Sequence, residues 1–488
     1  MITDSSARTS ARRIARNVAL RSVGDIVAKL ASLVFFVTVA RKLGATGFGN
    51  FSFALALTGA LILASGFGTD TLLTREVARD YDRLPGYLAN VVAVKALTSV
   101  GALGVAFAVA NIGDYSHDTR AAVYLIGAAV AIENLGRTWQ AAFQAYERLE
   151  FISLSLVVQR VVTAAAAVVV LQLHHGLVAV SLVYLLGSVI GLAVASWSLR
   201  RFIVVPRWEF QAARFLPILK AGVPIGLVGL LFSILLRTEP VLLSFLKHAQ
   251  NTEVGIYSAA FRILEATMFL SWAFGAAMLP WLARSSAAKD ARLVRGYEVG
   301  LKAIVSILMP VGVALVLLAQ PIVDVLYGDK YDASVLPLRI LGALTVLYGV
   351  NYFTGVTLTA HDRPGLFSRL FAVVIVVDLA CNAVLIPPYG AAGAAVSAAV
   401  AGALLAVLSL RQVRAAIGPV RIVRTFAGSL AGGAAMAAVV LTSGASLVPA
   451  LVLGGAVYLA AQIAFERLAY REDLSLLLQL TRRAEGPS

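Results

Sequence analysis

Basic side chains inside long apolar runs are the residues of this sequence best suited to bind a ligand. A charge within a membrane-spanning helix costs a few kcal/mol on insertion scales, so it is expected to face a cavity or a partner. Arginine holds a phosphate through paired hydrogen bonds and lysine binds it as a point charge. We expect an anionic headgroup to be bound by the cations too deep to reach the membrane surface: Lys29, Lys95, Arg237 and Arg262. Arg41, near the external end of the first predicted helix, is a fifth candidate.

Acidic residues in the same runs could titrate, or bind a cation, and so drive a transport cycle. The candidates for this coupling are Asp25, Glu133, Glu239, Glu265 and Asp378. Three acid–base pairs share a helix face at spacings of three or four residues: Asp25–Lys29, Glu133–Arg137 and Arg262–Glu265. Such pairs could equally neutralise each other and hold helices together. Snorkelling to headgroups is a further alternative for Arg137, Arg160 and Arg339, which lie near predicted helix ends.

Sequence signatures of catalysis are missing from the chain. It contains neither a Walker A loop nor a His-Glu-x-x-His motif. The pair His174-His175 precedes Gly176 in a predicted external turn, where a solvated pair is favoured over a metal site. We therefore expect a transporter and not an enzyme, with no cofactor and no metal.

The composition is that of a polytopic membrane protein. Of the 488 residues 59% are apolar and 14% are charged, against about 25% charged in soluble domains. The mean hydropathy is +0.85. Cys381 is the only cysteine, so no disulfide can form within the chain.

Apolar runs of about twenty residues, the length that crosses the ~30 Å hydrocarbon core, predict fourteen helices. They lie at 20–40, 50–70, 88–110, 120–141, 153–173, 177–197, 217–246, 254–282, 299–320, 333–359, 367–386, 391–411, 424–443 and 447–465.

The net charge of +15 is explained mostly by topology. Arginine and lysine concentrate on the side of the two termini, whereas the opposite loops carry few cations and several aspartates. The positive-inside rule then places both termini in the cytoplasm, and a nucleic-acid partner loses its main support. We expect a multi-pass protein of a bacterial or archaeal cytoplasmic membrane.

A repeated stretch indicates that the first half of the chain is duplicated. Residues 40–54, ARKLGATGFGNFSFA, are echoed by residues 248–261, HAQNTEVGIYSAAF, so that Gly49 corresponds to Gly255. Six predicted helices precede the second copy, which gives parallel repeats related by a pseudo-two-fold axis along the membrane normal. The predicted domains are two six-helix lobes, a basic linker and two C-terminal helices with a tail: 1–199, 217–415, 200–216 and 416–488. Gly44, Gly47 and Gly49 are expected to form the tight external turn between helices 1 and 2.

The same stretches resemble the polysaccharide transporter (Wzx-type) branch of the multidrug/oligosaccharidyl-lipid/polysaccharide (MOP) flippase superfamily. The resemblance covers nearly the whole chain through short structural motifs. These are ARKLG (40–44), FGNFSFA (48–54), GFG (66–68), TREVAR (74–79), EVGIYSAA (253–260), YGDKY (327–331) and IPPYGAAGAA (386–395).

The resemblance implies two six-helix lobes around a central cavity, alternating access, and transfer of a polyprenyl-pyrophosphate-linked oligosaccharide to the outer leaflet. The implied partners are that lipid-linked oligosaccharide, membrane lipid, and the polysaccharide polymerase and glycosyltransferases of the same process. A drug or metabolite exporter and a lipid II flippase are alternatives from the same superfamily. A membrane-embedded polymerase or acyltransferase would need a sizeable catalytic loop, which the predicted topology lacks.

Overall fold

The computed structural model describes residues 4–64, 66–204, 208–247, 251–287, 293–361 and 364–469. These residues form helices joined by short turns, with no strand among them, which confirms the predicted all-α class. Residues 205–207 of the predicted basic linker and the tail from residue 470 lie outside the described part. The helices are α1 (Asp4–Ala64), α2 (Thr69–Arg79), α3 (Leu84–Ile112), α4 (His117–Ala145), α5 (Leu149–Gln172), α6 (Leu177–Phe202), α7 (Ala212–Leu235), α8 (Thr238–Leu246), α9 (Thr252–Ala287), α10 (Leu293–Leu317), α11 (Ala319–Leu326), α12 (Val335–Ala360), α13 (Pro364–Ile417), α14 (Ile422–Ser443) and α15 (Leu447–Ala469).

Many of these helices are long and apolar enough to span a bilayer. Within the described residues ten helices meet that condition, or eleven when α7 and α8, which are bent by 40°, count as one span. The protein is therefore a multi-pass membrane protein. The figure of fourteen spans stays a prediction.

Two helices each contain two of the predicted spans. Helix α1 turns at Gly44 (φ 69°) and α13 turns at Gly390 (φ 55°), and helical hydrogen bonding resumes directly after each glycine. A positive φ strains any residue that carries a Cβ, so glycine is the residue that permits these reversals without a loop. Gly44 lies in the predicted turn between helices 1 and 2.

Two predicted spans, 50–70 and 217–246, are interrupted by a break between two helices. The span 50–70 stops at Ala64, and α2 starts at Thr69 after Gly68, whose φ is 67°. Gly68 packs so closely on α7 that a Cβ there would lie 2.4 Å from the backbone nitrogen of Gly226. The span 217–246 is broken between Leu235 and Thr238, where α7 gives way to α8.

The chain forms two compact units, residues 1–258 and 259–488, with the boundary inside α9. In unit 1, helices α2 to α7 bury a shared apolar cluster that includes Leu73, Leu88, Phe143, Phe151 and Leu199. The predicted lobe boundaries, 1–199 and 217–415, stay a prediction.

Unit 2 has α10 at its centre. It packs on α12 and α14, and α12 in turn packs on α13. The C-terminal helices α14 and α15 pack on each other and bury an apolar cluster with α10, built from Leu318, Met436, Val440 and Tyr458 among others. The two helices left outside the predicted repeat are thus anchored to this unit.

Candidate functional site

The two glycine corners of the repeat contact each other within unit 1. A Cβ on Gly49 would lie 1.7 Å from the backbone oxygen of Asn251, and a Cβ on Gly255 would lie 1.9 Å from that of Ala45. The repeat offset relates Ala45 to Asn251 just as it relates Gly49 to Gly255. The contact is therefore reciprocal, and only glycine permits an approach this close.

Polar side chains reinforce the same contact. The hydroxyl oxygens of Thr46 and Thr252, 206 residues apart, lie 2.8 Å from each other. The amide of Asn251 donates to Oδ1 of Asn50 over 2.8 Å. Thr46 and Thr252 are equivalent positions of the predicted repeat, so this hydrogen bond joins corresponding residues of its two copies.

Arg237 occupies the break between α7 and α8. Its guanidinium lies against Gly59 of α1, where a Cβ would stand 2.8 Å from Nε. Gly59 thus makes room for a cation in the middle of a predicted span. Glu239, only 3% exposed, lies two residues further on, in the first turn of α8, where the helix dipole favours an acid. Both side chains have contacts of their own.

Lys95 is sealed inside unit 1. Its side chain is 0% exposed, its ammonium donates to Oδ1 of Asp70 over 2.5 Å, and it also donates to the backbone oxygen of Asn134 over 2.9 Å. Asp70 lies in the first turn of α2, directly after the break at Gly68. In this conformation Lys95 fixes the broken helix to α3 and α4, and solvent does not reach it.

Glu133 of α4 pairs with a different cation from the one that its helical spacing predicted. Arg160 of α5 lies 3.4 Å from its carboxylate, and Gln159 donates to the same oxygen over 2.6 Å. Ser188 of α6 donates a second hydrogen bond to this oxygen, over 3.3 Å. The predicted partner was Arg137, and Arg160 was a candidate for snorkelling. Packing of three helices decides the pairing instead, because it brings Arg160 to the acid.

Arg262 and Glu265 form the ion pair that their spacing predicted. Nη1 of Arg262 donates to Oε2 of Glu265 over 2.6 Å, and the side chains are 17% and 42% exposed. In the same unit the hydroxyl of Tyr327 donates to the backbone oxygen of Ala259, one turn before Arg262. Burial raises the pKa of Tyr327, so its phenol stays protonated and can keep donating.

Asp378 is the most deeply buried of the predicted coupling acids. It is 0% exposed, and its two carboxylate oxygens have no hydrogen-bond partner among the described residues. Asn382, one turn along α13, donates its amide to the backbone oxygen of Asp378 over 3.0 Å. Oδ1 of Asn382 is also buried and unpartnered in the described structure. Three buried acceptor oxygens thus lie on adjacent turns of α13 with no hydrogen bond to them from the residues that the structure describes.

The remaining candidates lie along α1. Asp25 and Lys29 are half-buried, and Arg41 is exposed three residues before the Gly44 corner. Each of them makes contacts in the structure. Unit 1 therefore contains Asp25, Lys29, Arg41, Lys95, Glu133, Arg237 and Glu239, and unit 2 contains Arg262, Glu265 and Asp378.

Two acids that pair with buried lysines, Asp70 and Glu466, were not among the predicted site residues. Asp70 follows the motif Gly66-Phe67-Gly68, and an acid at the end of a predicted apolar span was the signal that could have marked it. Glu466, which pairs with Lys302 of α10, lies beyond the predicted end of the last span, so no hydropathy signal marked it.

Comparison with known proteins places these features in context. A family described as "Polysaccharide biosynthesis protein" matches residues 14–286, more than half of the chain. The chain is 24% identical over 376 residues to the probable low-salt glycan biosynthesis flippase Agl15 of Haloferax volcanii, which covers 76% of this chain and 77% of that protein.

Solved structures with the same fold are transporters. The lipid II flippase MurJ, in an inward closed conformation, superposes with a TM-score of 0.78 at 15% identity, over 92% of this chain and 99% of that one. An inward-facing multidrug resistance MATE family transporter of the MOP superfamily gives a TM-score of 0.68 at 17% identity, over 80% and 94% of the two chains.

Proposed function

Because the chain belongs to the polysaccharide biosynthesis protein family, we propose that it is a flippase. It moves a polyprenyl-pyrophosphate-linked oligosaccharide across the cytoplasmic membrane by alternating access, for surface polysaccharide biosynthesis. Support comes from the relative named a glycan biosynthesis flippase and from the shared fold with transporters, none of which is named as an enzyme. The expectation of a transporter agrees with these relatives.

The observation that carries the proposal is the position of Arg237. A guanidinium at a helix break, with a glycine opposite to make room for it, is costly within a membrane, so a residue of this kind is a candidate for binding a ligand as well as for pairing with neighbouring groups. A pyrophosphate offers the planar, doubly hydrogen-bonding oxygens that a guanidinium matches best. Lys29 and Arg41 in unit 1 and Arg262 in unit 2 are proposed as further cations that bind an anionic headgroup during the transport cycle. Lys95 can join them only after the break at Gly68 rearranges.

The reciprocal glycine corners supply the proposed gate. In this conformation the corners at Gly49 and Gly255 are in contact on the side that the topology predicts to be external. Opening toward that side requires the corners to separate, and the hydrogen bond between Thr46 and Thr252 to break. A symmetric contact with one inter-threonine hydrogen bond can be made and broken as a unit.

Asp378 and Asn382 are the proposed coupling pair. Binding of a proton or a monovalent cation would satisfy the oxygens that lack a donor, so the energy of unit 2 depends on that ligand. An ion-coupled exporter of cationic compounds is the second candidate function, because a buried unpaired carboxylate would also suit a cationic cargo.

Charge-reversal variants of the proposed binding arginines, expressed in cells, test the proposal. We expect Arg237→Glu and Arg262→Glu to lower surface polysaccharide on the order of tenfold or more, since each removes a charge-assisted contact with the headgroup. Protein abundance should be unchanged, and Arg411→Glu, at an exposed position of α13, should keep normal polysaccharide. Full polysaccharide in both variants would refute the assignment. Sensitivity of a deletion strain to cationic compounds, with intact glycans, would favour the exporter.

A further inference from the structure

A groove in unit 2 runs between α10 and α15 and has no role in the proposed transport cycle. Its volume is about 560 Å³, and its lining extends along α10 from Val299 to Pro310 and along α15 from Gly455 to Glu466. At 1.5 Å per residue the α10 wall is roughly 16 Å long, about half of the ~30 Å hydrocarbon core. The groove therefore has the depth of one leaflet.

The walls of this groove are suited to hydrocarbon. Ile307, Leu459 and Ile463 line it and are exposed, so its rim is apolar. The polar groups in the walls bond to one another: the hydroxyl of Tyr458 donates to the backbone oxygen of Ser306, and the amide of Gln462 donates to the Ser306 hydroxyl. An acyl chain could lie there without leaving these groups unpaired.

In the described part of the chain, one end of the groove is lined by more basic than acidic side chains. A second, smaller pocket shares Val299 and Lys302 with the groove and is lined at its far side by basic and acidic residues: Arg295, Arg421, Arg424 and Glu298. The carboxylate of Glu298 accepts a hydrogen bond from the backbone nitrogen of Arg421 over 2.7 Å. Its other oxygen forms an ion pair with Nη1 of Arg295 at 3.6 Å. The ammonium of Lys302 forms an ion pair with the carboxylate of Glu466.

Among the described residues, the lining of this end contains four basic side chains and two carboxylates, a formal net charge of +2. It lies where α10 and α14 begin and α15 ends, on the side that the basic-residue distribution predicts to be cytoplasmic. Basic pockets between membrane helices on that side attract anionic headgroups.

We propose that the groove between α10 and α15 is a binding site for a phospholipid of the cytoplasmic leaflet with an anionic headgroup. Its phosphate binds Arg421 and Arg424, and an acyl chain fills the groove as far as Gly455. Such a lipid would join α14 and α15 to α10 at a place where the helices themselves leave a gap.

Native mass spectrometry and thermal unfolding of the full chain in detergent test this site. The probes are phosphatidylglycerol and, as the neutral comparison, phosphatidylcholine of the same acyl chains. We expect phosphatidylglycerol to remain bound and to raise Tm more than phosphatidylcholine does. The double variant Arg421→Gln/Arg424→Gln should weaken retention of phosphatidylglycerol on the order of tenfold or more and abolish its extra Tm shift.

A second variant blocks the binding of the acyl chain and leaves the basic residues at the end of the groove unchanged. No atom lies within 4 Å of a Cβ added to Gly455, so Gly455→Leu fills the groove without a clash at that atom and should also prevent retention. The matched controls are Arg411→Gln, an exposed arginine outside the groove, and Gly104→Leu, an exposed glycine with equal space. Both should behave like the unaltered protein.

Two results would overturn the proposal. One is equal stabilisation by the two lipids, or unchanged retention of phosphatidylglycerol in both groove variants. The other is that the protein retains a polyprenyl phosphate in place of phosphatidylglycerol and that Gly455→Leu no longer retains it. That result would assign the groove to the transported lipid. Neither result bears on whether Arg237 is needed for transport, so this site and the proposed flippase function can fail separately.

Discussion

Several glycines of this protein matter because they lack a side chain that would prevent a close contact. Gly49 and Gly255 allow two backbones to approach more closely than any side chain would permit, and Gly59 makes room for Arg237. The cations and acids predicted to be functional differ in their surroundings: Lys95 is paired with Asp70 and sealed, whereas Asp378 is sealed with no donor for its carboxylate among the described residues.

Substitution of a corner glycine should open the proposed gate. A Cβ at Gly49 would lie 1.7 Å from the oxygen of Asn251, so Gly49→Ala forces the corners apart. In a Cys381→Ser background with Thr46→Cys, we expect faster labelling of the new thiol by a membrane-impermeant maleimide added outside. Gly255→Ala should have the same effect because the contact is reciprocal.

Gly101→Ala is the control for this experiment, since a Cβ there has open space. Unchanged labelling in both corner variants would mean that the contact does not close the external side.

Removal of Asp70 should destabilise the protein through Lys95. Asp70→Asn leaves a buried ammonium without its counter-charge, a loss of about 3–5 kcal/mol for fully buried pairs. We expect the lower end of that range, because the side chain of Asp70 is 33% exposed. The double variant Asp70→Asn/Lys95→Met should regain much of the Tm lost, and Asp118→Asn, at an exposed position, should cost little. An Asp70→Asn protein with normal Tm would contradict the assignment.

The helices could be predicted from the sequence wherever the hydropathy pattern alone determines where they lie. Each predicted span overlaps a helix, and the corner at Gly44 follows from glycines between two apolar runs. The breaks before Thr69 and after Leu235 were not predicted, because apolar residues continue through them and the stabilising contacts come from distant residues such as Gly226 and Gly59. The pairing of Glu133 with Arg160 was missed for the same reason, since it depends on how α4, α5 and α6 pack.

Substitution of Asp378 should impair ion coupling without lowering the thermal stability of the protein. Asp378→Asn removes a carboxylate whose oxygens have no donor, so we expect an unchanged or higher Tm. Surface polysaccharide should nevertheless fall, because the variant no longer binds the proposed ion. Asp329→Asn, an exposed acid of the same unit, should leave both quantities unchanged. A large fall in Tm for Asp378→Asn would indicate a structural carboxylate.

The chain shares its fold with a lipid II flippase and a multidrug transporter of solved structure, and the cations proposed to bind the headgroup are distributed over its two units. The family, the helical class and the transporter assignment were predictable from short motifs and composition. The cargo-binding residues were predictable only as a set of candidates, because a sequence shows which charges lie in apolar runs but not which of them other helices neutralise. Lys95 and Glu133 illustrate this, since both partners lie on other helices.

Transfer of a lipid-linked oligosaccharide by the purified protein is the most direct test of the central claim. In proteoliposomes loaded with polyprenyl-pyrophosphate oligosaccharide in both leaflets, a membrane-impermeant glycan-modifying reagent reacts with about half of the lipid when no flipping occurs. We expect the unaltered protein to make nearly all of it reactive, and Arg237→Glu to return the reactive fraction to that of empty liposomes. A reactive fraction no greater with the unaltered protein than with empty liposomes, or equal transfer by Arg237→Glu, would contradict the account.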